Sequence, residues 1–144
     1  MDIPVEMTKN ELEKLADLRL LEARILFDNN AYQGAYYLCG YSIECALKAC
    51  IAKSFKANEF PNKKLVNDSY VHNLDQLLKL SNLHPIFQID KTANPDLEIN
   101  WGIVKDWSEA YRYDFQIDQI LAQELIDAVS NNQSGILQWV KRHW

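Results

Sequence analysis

The stretch YLCGYSIECALKA, Tyr37 to Ala49, decides the fold. It lies within a run from Ala31 to Ala52 in which 16 of 22 residues are apolar, with no alternation and no proline. A segment this long and apolar on every side is a helix packed on most of its surface. Its only charges are Glu44 and Lys48, four positions apart and therefore stacked on one side of the helix. Two central charges and four tyrosines spread along the run (Tyr32, Tyr36, Tyr37 and Tyr41) argue against a membrane span.

Working outward, the pattern stays helical. Thr8 and Glu11 form a capping-box pair ahead of Leu12, Ala16, Leu20, Ala23 and Phe27, which recur at helical spacing. A second row, Leu18, Leu21 and Ile25, widens that apolar face. The first helix is expected over about 9–28, stopping at Asn29-Asn30. The central helix follows over about 31–55, so the two must be antiparallel neighbours. Gly40 is costly in an exposed helix and implies close packing. A polar loop broken by Pro61 precedes a short third helix over about 69–81. HPIFQIDKTANPD (residues 84–96) reads as irregular. A fourth helix is expected over about 95–111, opened by Asn94-Pro95. A last one is expected over about 118–142, with NNQSG as its weak point. Nothing alternates like a strand. The expectation is an all-α, up-and-down bundle of about five helices forming a single domain over residues 1–144.

Bulk composition narrows the function. The net charge is −5, from 15 basic and 20 acidic residues, so nothing global marks a nucleic-acid or membrane binder. The charge is uneven: residues 48–64 hold five lysines and one acid, and residues 90–127 hold nine acids and three basic residues. The basic segment is either a solvated face or a surface for an anionic partner. No secretory leader opens the chain, and a cytoplasmic location is expected. Cys39, Cys45 and Cys50 share one helix at spacings that fit no zinc pattern, and read as small buried hydrophobes.

Two groups of residues carry candidate chemistry. Tyr37, Tyr41, Glu44 and Lys48 form one stripe of the central helix. That stripe either supports a buried helix or borders a ligand-binding cleft. In WSEAYRYDF (residues 107–115), Arg112 stands between Tyr111 and Tyr113. An arginine beside aromatic rings suits a phosphate with a stacked base, and equally suits a helix C-terminal cap. His72 opens the third helix in YVHNLDQLL. No two histidines have metal-ligand spacing, so no metal site is expected, nor any cofactor. Phosphate-loop, dinucleotide and nucleophile-elbow motifs are missing.

AYYLCGYSIECALKACIAK, HNLDQLL and WSEAYRYDF, in that order, resemble the HEPN domain, a small helical bundle, over residues 12–140 or so. The resemblance implies homodimers and nucleotide or RNA binding. It also implies one of two modes of action. Many HEPN proteins cut RNA without metal, using an arginine followed four to six positions later by a histidine. Others are inactive partners of a small nucleotidyltransferase in toxin–antitoxin pairs. Arg112 matches the arginine, but positions 116–118 are Gln116, Ile117 and Asp118. With no histidine there, the attacking ribose hydroxyl lacks a base that titrates near neutral pH. The expectation is therefore a non-catalytic nucleotide- or RNA-binding module contacting ligand through Arg112, Tyr113, Tyr41, Glu44 and Lys48. The alternative is a metal-independent endoribonuclease in which His72 serves Arg112 from elsewhere in the fold.

Overall fold

The computed structural model describes residues 7–55, 58–114 and 116–144, and of Arg112 the backbone alone. Among these residues the protein is all-helical, with no strand. Helix α1 (Lys9–Asp28) starts where Thr8 Oγ1 accepts a hydrogen bond from the Glu11 amide at 3.1 Å. It ends in a reversal at Asn29–Ala31, where Asn30 takes φ 63°, the left-handed region that asparagine tolerates. Helix α2 (Tyr32–Ala52) then runs back along α1. Ser42 Oγ donates to the Ala16 carbonyl at 2.6 Å, tying the middles of the two helices together.

Every residue of α2 from Cys39 to Ile51 is buried. Helices α1, α4 (Leu74–Leu80), α7 (Gln119–Ser130) and α8 (Ile136–Lys141) pack around it, with a 3-10 helix at Glu109–Tyr113. A Cβ on Gly40 would sit 2.3 Å from three atoms of the Trp107 indole, so only glycine leaves room for that ring. The backbone of α2 thus comes within van der Waals range of Trp107, as the cost of a mid-helix glycine suggested.

Among the described residues the count of five helices needs correction to eight, plus the 3-10 helix. The polar loop holds α3 (Lys63–Asp68), capped by Asn62. The third expected helix starts late, at Leu74, because the Asn73 side chain caps it by accepting from the Gln76 amide at 2.9 Å. The stretch read as irregular is helix α5 (His84–Ala93), whose N-cap position, Leu83, has no capping side chain to announce it. Pro85 sits in its first turn, where a missing amide costs nothing. Phe87 anchors it edge-on between Trp101 (5.5 Å) and Trp139 (4.9 Å). Helix α6 (Pro95–Val104) stops short of Tyr111, and the 3-10 helix follows a break at Lys105–Ser108. The last expected helix divides at NNQSG, where Asn131 Oδ1 accepts from the amides of Gln133 (2.9 Å) and Ser134 (2.8 Å).

The row Leu18, Leu21 and Ile25 does not join the core. These side chains are 46%, 55% and 53% exposed, while Leu12, Ala16 and Ala23 carry the contact of α1 with α2. Residues 39–51 of α2 are covered within a single copy, so that stretch leaves little apolar surface for a second copy. No helix among the described residues is long and apolar enough to cross a membrane.

Candidate functional site

Glu44 is fully buried in the middle of α2. Each of its oxygens meets a different partner. Lys48 Nζ, one turn on, lies 3.4 Å from Oε2. His72 Nδ1 lies 3.0 Å from Oε1. The cap of α4 positions that ring, because His72 immediately precedes the Asn73 cap that fixes the start of the helix. A fourth group arrives from the 3-10 helix, whose first residue, Glu109, places Oε2 3.4 Å from the same His72 Nδ1. Carboxylates from two segments distant in sequence therefore approach one imidazole nitrogen on a third.

The electrostatics of this cluster are dominated by desolvation. Burial pushes the Glu44 carboxyl above its ordinary range, and the Lys48 ammonium and His72 pull it back down. Glu109 is oriented unevenly: its side chain is 43% exposed overall, yet Oε2 is buried and receives no hydrogen bond among the described residues. A ring nitrogen carries one hydrogen, and Glu44 is the nearer acceptor.

The residues singled out from sequence divide into two sets. Glu44 and Lys48 are brought together with His72, but both are buried, so a ligand at the surface meets His72 and the 3-10 helix before it meets them. Tyr41 is buried as well, stacked on Tyr37 at 6.2 Å and lying under the Arg19 guanidinium at 5.9 Å; burial raises its hydroxyl pKa. Tyr113 is on the outside, 69% exposed, beside a shallow depression lined by Ala110, Asp114 and Gln116. The backbone of Arg112 belongs to the 3-10 helix, and its side chain lies outside the described residues. The Tyr111 carbonyl accepts from Gln33 Nε2 at 2.7 Å, and the Tyr111 ring meets Tyr36 edge-on at 4.9 Å, which pins this segment to α2.

The basic segment does not form one continuous block. Lys48 faces Glu44, Lys53 Nζ donates to the carbonyls of His143 and Trp144 at 3.2 Å each, and Lys64 pairs with Asp68 at 2.7 Å. Lys56 lies outside the described residues. Sequence reasoning passed over Glu109, although it stands within WSEAYRYDF. Its only signal there was an acid in a short polar turn, and nothing in its spacing pointed to His72.

Comparison of the chain with family models, curated proteins and solved structures finds no significant match.

Proposed function

We propose that the chain is a HEPN-like nucleotide- or RNA-binding module. In this reading it is non-catalytic and works in the cytosol as a homodimer with a partner such as a small nucleotidyltransferase, in the manner of a toxin–antitoxin pair. One observation carries the binding site: His72 and the 3-10 helix bearing Arg112 and Tyr113 meet over the buried Glu44. Glu44 and Lys48 hold His72 in place from beneath. The exposed Tyr113 ring offers a stacking face, and an arginine beside it supplies a planar fork for phosphate.

The test is a titration of labelled oligoribonucleotide, in chelator and at two salt concentrations, against wild type, Arg112→Ala and Arg112→Lys. Arg112→Ala should weaken binding by at least about 1.5 kcal/mol, the scale of a charge-assisted hydrogen bond. Arg112→Lys should recover only part, since lysine keeps the charge and loses the fork. Equal affinity for all three proteins would remove Arg112 from the site.

A second reading, the metal-independent endoribonuclease, draws support from the 3.0 Å approach of Glu44 Oε1 to His72 Nδ1. A carboxylate at Nδ1 favours the tautomer whose lone pair is on Nε2, which is how a buried acid prepares a histidine as a general base. His72 would then supply, from another element, the base that positions 116–118 lack. RNA cleaved in chelator by wild type and left intact by His72→Gln would establish this activity; intact RNA with both proteins leaves the binding module.

A further inference from the structure

One donor atom from each of Glu44, His72 and Glu109 lies within 4.8 Å of the other two. This cluster has the makings of a cation site. A tetrahedral zinc-class ion with ligand bonds of about 2.0–2.1 Å places its donor atoms roughly 3.4 Å apart. The two separations from His72 Nδ1 are 3.0 Å to Glu44 and 3.4 Å to Glu109. Glu109 Oε2 is the second observation. It is a buried carboxylate oxygen with no hydrogen-bond donor among the described residues, and an orphaned acceptor of this kind is expensive. A cation between the three groups gives that oxygen a partner.

Lys48 is compatible with such an ion, because it approaches Oε2 of Glu44 and leaves Oε1 turned to His72. An outer partner of this kind orients a ligating carboxylate. The ring and Glu109 side chain are 23% and 43% exposed, which opens the cluster to solvent on their side.

We propose that Glu44, His72 and Glu109 bind one divalent transition-metal cation of the zinc class, with its remaining coordination facing solvent. An imidazole nitrogen among the donors favours zinc-class ions over Mg²⁺ and Ca²⁺, which take oxygen ligands. The proposal stands on the cluster itself and goes beyond the nucleotide reading. RNA titrations in chelator remove this cation, so the two ideas succeed or fail separately.

The experiment takes the full chain stripped with chelator and then dialysed free of it. Zn²⁺ is titrated calorimetrically, and Co²⁺ is followed by its visible absorption. One equivalent of each ion per chain is expected, with intense cobalt bands of low coordination number and no matching uptake of Mg²⁺. Glu109→Gln, at a half-exposed position, should keep the fold by circular dichroism and weaken Zn²⁺ binding tenfold or more. His72→Gln should do the same; if that variant does not fold, Glu109→Gln alone decides. Failure of wild type to take up one equivalent overturns the proposal, as does wild-type affinity in either folded variant.

Discussion

His72 Nδ1 stands 3.0 Å from Glu44 Oε1, which joins the residue ahead of the α4 cap to the centre of α2. Glu44 has no exposed surface, and among the described residues its carboxylate oxygens meet His72 and Lys48. Burying an ion pair costs several kcal/mol of desolvation per ion, which good geometry recovers only in part. The pair is therefore better explained by what it holds than by stability it adds.

A stability test follows. Removing one partner leaves the other charge buried alone, so Glu44→Ala should cost about 3–5 kcal/mol in urea denaturation. Replacing both, as Glu44→Leu with Lys48→Met, should be neutral or stabilising by about 1–4 kcal/mol while loosening His72. A double variant as unstable as Glu44→Ala would mean that the pair itself holds the core.

Gly40 and Trp107 should behave as a coupled pair. Gly40→Ala drives a methyl into the indole ring and should destabilise by about 1–3 kcal/mol, despite alanine's better helix propensity. In combination with Trp107→Phe, a smaller ring, the two effects should add to less than their sum. Simple additivity in the denaturation midpoints would place the clash elsewhere.

The three cysteines should be inert in the native protein. All are buried, and burial pushes Cys45 up to about 12 and Cys50 to about 11, with Cys39 raised as well. At pH 8 roughly one Cys50 thiol in a thousand is the reactive thiolate, and the other two are less ionised still. A thiol reagent should label all three only on unfolding. Rapid native labelling of any one would contradict its burial.

The proposed homodimer needs a surface other than the buried stretch 39–51 of α2. The exposed row Leu18, Leu21 and Ile25 on α1 is an apolar surface of the described residues that a second copy could cover. Sedimentation should show a dimer at tens of micromolar, converted to monomer by Leu21→Glu. A wild-type monomer of 16.8 kDa would remove the homodimer from the account.

The parts of the fold legible in sequence are those with local causes. Thr8 and Asn29-Asn30 bound α1 through caps and a turn, and the composition of residues 31–52 already implied packing on most sides. Helix α5 was not legible, because its stability comes from Phe87 between two tryptophans rather than from a cap. The row Leu18, Leu21 and Ile25 has helical spacing, but spacing alone does not reveal which side of an apolar helix is covered. At the site, the Glu44–Lys48 pair could be read from its four-residue spacing. The approach of His72 and Glu109 could not, since tertiary packing brings them to α2 and no local pattern encodes it.

The measurement that bears most directly on ligand binding at this site is the imidazole NMR spectrum during titration with an oligoribonucleotide, in chelator. The chain has three histidines, and His72→Gln identifies the His72 signals. The account predicts that the His72 ring resonances and the Tyr113 amide move together and saturate, while His84 and His143 stay in place. Unmoved His72 resonances at saturating RNA, or shifts confined to His84 and His143, would contradict it.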